Sequence, residues 1–280
     1  MNEMKIIKTI VLAALCVFAV SCGGPDIEKG LVLYSGFEGD ARDGSPNHYD
    51  GMLRSGAVVS DDSAVGESSV YFDGKEAFVE YPTDKIYFDG DYSISIWVKW
   101  EECHLWDRIL DFNQIMPQAG NAVTWRIGYP EKGKENSLWL DQWVLDNDLN
   151  PVASVIDIHN SPADAYLDYN VTLGQWDHYV VVYDSKAKNP HGVQYNEKGQ
   201  EIRYRGVVTL YVNGKKVGTN NHCFNPQPIP TVANWLGRSR YQGDPHFKGW
   251  MDDFRIYDRT LSAQEVKDLY DLSEDWTKEH

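Results

Sequence analysis

Six oxygen-bearing side chains, Glu38, Asp40, Asp43, Ser45, Asn47 and Asp50, crowd one short stretch near the start of the chain. Carboxylate, amide and hydroxyl oxygens are what a hard cation takes, about six to eight at a time for calcium. The spacing is not that of an EF-hand loop, so an acidic loop left in solvent is the competing role. Two more carboxylates, Asp252 and Asp253, stand side by side in a run from Gly249 to Tyr257 that otherwise has the period of a strand. A charge buried there must be paired or bound to a cation. Consecutive strand side chains point to opposite faces, so only one of the two is expected to serve as a ligand.

Aromatic residues form the second group. The chain has 10 Trp and 17 Tyr, more than a core of this size requires. Trp97, Trp176 and Tyr211 sit at strand positions and read as core. The segment from Glu102 to Tyr169 carries Trp106, Trp125, Trp139 and Trp143 among Asp, Asn, Gln and Arg. A second rich stretch holds Trp235, Arg238, Arg240, Tyr241, Asp244 and His246. A flat ring beside planar polar groups suits a sugar, whose C–H face stacks while its hydroxyls take hydrogen bonds. Trp139, Trp143, Trp106, Trp125, Arg238 and Tyr241 are the candidate ligand-binding residues, Trp139 and Trp143 foremost. The competing role is to pin long loops to the core.

The elements that must position these groups are short strands rich in Val, Ile, Tyr and Trp, divided by Gly, Asn, Asp and Pro turns. Asn213-Gly214 is a type I′ hairpin signal. The polar stretch from about Ser185 to Arg205 reads as an extended hairpin. Only one segment, Ser262 to about Leu272, reads as a helix. Ser262 and Glu265 form a capping box there, and Leu261 and Val266 a hydrophobic staple. No repeat of 20–50 residues is visible.

Several blocks follow one another along the chain: Leu31-Val32-Leu33-Tyr34 with Asp43-Gly44-Ser45, Val70-Tyr71-Phe72-Asp73-Gly74, and Tyr92 to Trp100. Gly174 to Tyr183, Val208 to Lys215 and Gly249 to Ser262 complete the set. Their order resembles the laminin-G-like jelly roll of the concanavalin-A-like lectin/glucanase superfamily. The resemblance implies an all-β sandwich with a short C-terminal helix, spanning residues 30–272, with a tail at 273–280. It implies that the first and last strands lie together, bringing Asp252 or Asp253 to the first loop. Glu38, Asp40, Asp43, Asn47, Asp252 and Asp253 would then be candidate ligands of a structural calcium. The fold hosts both binding modules and enzymes, so it does not decide function.

Catalysis finds little support in the residues. Glycosidases need two facing carboxylates, about 5–5.5 Å apart in retaining enzymes and farther apart in inverting ones. The strand pattern Glu-x-Asp-x-x-Glu, used for this in such folds, does not occur. Asp141, Asp146 and Asp148, or Asp157 with His159, are the nearest alternatives, and a polar loop or a structural His explains them as well. No nucleophile elbow, phosphate loop, zinc cluster or dinucleotide fingerprint is present. No catalytic residue is therefore assigned.

The first residues have the form of a signal peptide: Lys5 and Lys8, an apolar run from Ile10 to Val20, then Ser21 and Cys22. Ala19-Val20-Ser21-Cys22 resembles a bacterial lipoprotein signal, which implies cleavage after residue 21, lipid on Cys22 and a tether over residues 22–29. Its Ala19 stands where the pattern prefers Leu. The expected location is the bacterial envelope, anchored by lipid in the outer membrane. Loss of Lys5, Lys8 and Glu3 leaves 24 basic against 41 acidic residues, a net charge of −17. Such a charge argues against nucleic acid, and leaves the lipid as the only membrane contact. A glycan or glycoconjugate is the expected partner, with other envelope proteins as the alternative. Cys103 and Cys223 are an even pair in an oxidising compartment, so a disulfide between them is expected, two separate buried thiols being the other outcome.

Overall fold

The structure is a computed structural model and describes residues 26–113, 122–127, 138–142, 144–145, 151–153, 169, 171–195, 199, 201–221, 223, 231 and 233–279. The chain opens with five short strands: β1 (Leu31–Ser35), β2 (Met52–Arg54), β3 (Val58–Ser60), β4 (Ser69–Asp73) and β5 (Phe78–Glu80). The long β6 (Tyr92–Glu102) is followed by β7 (Arg108–Asn113), β8 (Ala122–Ile127), β9 (Leu138–Gln142), β10 (Val144–Leu145) and β11 (Pro151–Ala153). Next come β12 (Trp176–Asp184), β13 (Val193–Tyr195), β14 (Glu201–Arg203), β15 (Val207–Val212) and β16 (Lys215–Asn220). β17 (Ala233–Leu236), β18 (Lys248–Tyr257) and α1 (Ala263–Glu279) end it.

Eight strands build the larger sheet, in the order β16-β15-β12-β6-β18-β4-β3 with β1 on β18, and six build the smaller, β2-β5-β17-β7-β8-β9. Every pairing within both sheets is antiparallel, and their inner faces share one core. Tyr81 and Phe112 of the smaller sheet's side meet Phe254, with ring centroids 5.7 and 6.1 Å away. The expected all-β sandwich is observed. The stretch from Ser185 to Arg205, expected as an extended hairpin, carries the antiparallel ribbon β13–β14.

Local sequence explains the regular parts. In β15 the run Val-Val-Thr-Leu-Tyr-Val alternates buried and half-buried positions, the signature of a strand with one face on a core. It turns into β16 through Asn213 and Gly214, at φ of 50° and 70°. A Cβ on Gly214 would also press on the Tyr270 ring, 3.3 Å away. Strand β6 is buried on both faces over most of its length, because α1 lies on the outer side of the larger sheet.

That helix is capped as its sequence indicates. The Ser262 amide donates to Glu265 Oε2 at 2.7 Å, and the Glu265 amide to Ser262 Oγ at 3.2 Å. Leu261 and Val266 are both buried against Leu31, Val180 and Tyr257. The helix runs to Glu279, past the expected end near Leu272. Apolar periodicity fades after Leu272, but Ser273-Glu274-Asp275-Trp276 holds no Gly or Pro to stop it.

Trp97, expected as core, is buried, and it lies on the outer face of the larger sheet beneath α1. Its indole stacks on His178 at 4.9 Å and on Tyr270 at 5.5 Å. Trp176 and Tyr211 share that outer side and are half-buried. The expected disulfide is not formed: Cys103 and Cys223 are free thiols. Cys103 follows β6, whose Lys99 pairs with Trp176 at the start of β12, whereas Cys223 bonds Gly206, next to Val207, which pairs with Asp184 at the end of β12. Those ends of β12 are about 26 Å apart along a strand, well beyond disulfide reach. Cys223 donates to the Gly206 carbonyl at 3.1 Å, and burial pushes its thiol up to about 12.

Candidate functional site

The acidic first loop is organised by its own backbone. Asp43 accepts the amides of Tyr34, Ser45 and Tyr49 at 2.7–2.9 Å, together with the Ser45 hydroxyl. Glu38 accepts the Glu67 amide, Asp40 pairs with Arg42, and the Asn47 amide donates to the Val32 carbonyl. β1 does lie beside β18. The two carboxylates of β18, however, do not alternate. A bulge falls between Asp252 and Arg255, with Asp253 at φ 44°. Met251 and Phe254 remain in the core, and both aspartates are turned to the outer side.

The bulge lies where β18 exchanges β4 for β1 as its neighbour. In the gap, Asp252 Oδ2 accepts the amides of Ala64 and Val65, and Oδ1 that of Asp253. Burial pushes the Asp252 carboxyl up to about 8, although three N–H groups favour its ionised form. Asp253 takes a two-pronged bond from Arg255, at 2.7 and 3.0 Å. Among the described residues no group of three or more His, Cys, Asp or Glu is placed to hold a metal. Five of the six candidate calcium ligands accept bonds from protein donors, and the sixth, Asn47, donates its side-chain N–H to Val32.

Aromatic and polar groups do converge on the outer face of the smaller sheet. Register places Glu80, Trp235, Asp111, Thr124 and Asp141 opposite one another across β5, β17, β7, β8 and β9. Just after Trp235 the chain arches over this row. The loop is tied at its base by the Gly237 amide to the Ile109 carbonyl and the Phe247 amide to the Gly237 carbonyl. Inside, Asp111 accepts the Thr124 hydroxyl at 3.2 Å and the Arg240 amide at 3.0 Å. Asp244 Oδ2 takes Arg108 Nη2 at 2.8 Å and the Ser239 hydroxyl at 2.7 Å.

Between loop and sheet lies a partly enclosed pocket of about 460 Å³, lined by Trp235, Arg238, Tyr241, Asp244 and His246 among others. The Arg238 guanidinium sits 4.6 Å from the Phe78 ring and 4.7 Å from Trp235. Arg240 lies 4.7 Å over Tyr241, and its Nη2 donates to the Tyr241 hydroxyl at 3.0 Å. Tyr241 is 40% exposed. Burial, aided by Arg238, holds His246 below its ordinary range. The arrangement offers rings with fixed tilt, guanidinium donors and one carboxylate at the lining. That suits a polar, flat ligand.

Of the candidate binding residues, Arg238 and Tyr241 line this pocket. Trp106 joins its rim indirectly: Arg108, whose guanidinium is 6.0 Å from the Trp106 ring, donates to both the Trp106 carbonyl and Asp244. Trp106 is half-buried, with an unusual φ of 76°. Trp125 is no platform. It is fully buried and packs edge-on against Tyr179, because the parity of β8 turns it inward while Thr124 faces out. Trp139 lies in β9 opposite Arg126. Trp143, Asp146, Asp148, Asp157 and His159 lie outside the described residues.

No curated protein matches the chain in sequence. Domain 4 of AbnA, an extracellular arabinanase from Geobacillus stearothermophilus solved with arabinotriose, is similar in structure. The TM-score is 0.57 at 19% identity, over 86% of this chain and 98% of that one. The binding domain of Paraclostridial Mosquitocidal Protein 1 gives 0.55 at 17% identity, over 88% of this chain and 53% of that one. The Botulinum Neurotoxin Type G receptor binding domain gives 0.52 at 14%, over 87% and 51%. This chain thus spans about half of each toxin domain, and at these identities the likeness is one of fold. A laminin G family model matches residues 73–267, from the end of β4 into α1, and the chain therefore belongs to the Concanavalin A-like lectin/glucanases superfamily.

Proposed function

We propose that this protein is a non-catalytic carbohydrate-binding module, and that its ligand lies in the pocket between Trp235 and Tyr241. The observation that carries this is the set of rings and guanidinium groups already locked in place around about 460 Å³. Preorganised aromatic and planar polar groups lower the entropy cost of capturing a flexible sugar. Among the described residues the lining carboxylate, Asp244, is tied to Arg108 and Ser239, which suits a hydrogen-bonding role better than acid–base chemistry. That AbnA domain 4 was solved with arabinotriose supports a saccharide as the ligand class.

On the same proposal, Lys5, Lys8, the apolar run before Cys22 and Cys22 itself make this an envelope lipoprotein. The test is a glycan screen with the wild type and Trp235→Ala, each with calcium and with chelator. Binding to one glycan class that falls at least about tenfold in Trp235→Ala supports the proposal. Binding unchanged by that substitution moves the site elsewhere. No glycan binding in any condition favours a protein partner, the alternative reading.

A further inference from the structure

A second aromatic row crosses the opposite side of the molecule. Helix α1 covers the outer face of the larger sheet as far as Trp97 and His178. One row farther on, register places Val58, Tyr71, Trp250, Lys99 and Trp176 directly opposite one another on β3, β4, β18, β6 and β12. Five strands set at about 4.8 Å make this row about 19 Å long. It includes an open groove of about 500 Å³ whose lining includes Ser60, Asp61, Tyr71, Glu101 and Trp250.

Hydrogen bonds hold the rings in place. Trp250 Nε1 donates to Ser60 Oγ at 3.1 Å, Trp176 Nε1 to Asp62 at 3.0 Å, and the Tyr71 hydroxyl to Glu101 at 2.9 Å. Tyr71 and Trp250 lie with centroids 4.9 Å apart, tilted by 50°. The Lys99 ammonium already sits 4.9 Å from the Trp250 ring, so the indole is in a position to stabilise positive charge. Around the groove, Asp61, Asp62, Glu101 and Glu102 outnumber Lys99 and Lys248. Lys99 is engaged by Asp62, and Lys248 by Glu101 and Glu102. Asp61 is exposed and has no protein partner among the described residues.

We infer that this groove is a second binding site, for a sugar ring that carries a free, cationic amino group. The ring would stack along Tyr71 and Trp250, and its ammonium would face Asp61 and Glu101. Row and groove belong to the other sheet, so this site does not depend on the pocket at Trp235. Two sites on opposite faces would let one molecule engage two glycan segments at once.

The experiment is a calorimetric titration of the whole chain with short glucosamine oligomers and with the same oligomers N-acetylated. It is repeated on Trp250→Ala, on the milder pair Asp61→Asn with Glu101→Gln, and on Trp235→Ala. The expected result is binding of the amine form, weakened about three- to tenfold by N-acetylation or by the two carboxylate substitutions. Trp250→Ala should weaken it about tenfold or more, and Trp235→Ala should leave it unchanged. Equal binding of both oligomers would overturn the inference, and so would binding that survives both Trp250→Ala and the carboxylate pair. A lysine-rich peptide that binds the groove where the amino sugar does not would overturn it as well.

Discussion

Asp244 is the residue whose removal most directly tests how the pocket is built. Its carboxylate joins the loop to the sheet through Arg108, at 2.8 Å, and also bonds Ser239 of the same loop, at 2.7 Å. The Arg108 side chain is only 3% exposed, and that of Asp244 19%. Breaking a fully buried pair by deleting one partner costs about 3–5 kcal/mol. Arg108 retains the Trp106 carbonyl and Asp111, the latter at 3.9 Å, so Asp244→Ala should cost about 2–3 kcal/mol. In a domain of this size that is a drop in Tm of about 4–12 °C. Asp244→Asn keeps an acceptor for Arg108 and should cost about 1 kcal/mol. Urea unfolding followed by tryptophan fluorescence measures both. On an Arg108→Met background, the cost of Asp244→Ala should fall below about 1 kcal/mol, since the partner is gone. A loss under about 0.5 kcal/mol for Asp244→Ala in the wild type, or an equal loss on both backgrounds, would refute the clamp.

Two further outcomes follow from buried groups. His178 is buried beside Trp97, bonded through Nε2 to Ser95 at 2.8 Å, with Asp253 and Arg255 facing it. Burial lowers it from 6.5 to about 3, so the fold holds it neutral while the unfolded chain protonates near 6.5. Its contribution is therefore complete above 6.5 and declines as pH falls toward 3, by about 2 kcal/mol between pH 6.5 and 5. His178→Gln should flatten that part of the stability profile in urea titrations from pH 5 to 8. An unchanged slope would show that His178 is not the group responsible. For the cysteines, reductant should leave Tm within about 1 °C, where loss of a native disulfide would cost about 2–5 kcal/mol. Thiol labelling read by mass spectrometry should modify Cys103 and Cys223 only after unfolding, and a bonded pair would contradict the structure.

Local physics made much of the fold legible. The alternation in β15, the Asn213-Gly214 turn and the Ser262–Glu265 cap each depend on residues a few positions apart, and each formed as its sequence indicates. The stretch from Trp235 to His246 was visible as a cluster for a similar reason: one loop carries most of the pocket lining. Choosing among the tryptophans was not possible in this way. Trp125 and Trp235 both lie in short strands rich in polar neighbours, and only the parity with which each strand enters its sheet turns one inward and the other out. The groove at Trp250 left no local trace, because its rings come from β4, β18 and β12, far apart in the chain.

By itself the sequence determined the fold class, the acidic surface, the capped helix and the loop rich in Trp, Arg and Tyr. These follow from composition, from periodicities of two and 3.6, and from caps and turns closed within a few residues. Tertiary structure alone decided the register across the sheets and the bulge that sends Asp252 and Asp253 to one side. It also decided the separation of Cys103 from Cys223 and the protein donors bonded to the carboxylates among the expected calcium ligands. Each of these is a pairing between distant segments. A shift of one residue in register exchanges the faces of a strand, so no local pattern could specify which partner each side chain would meet.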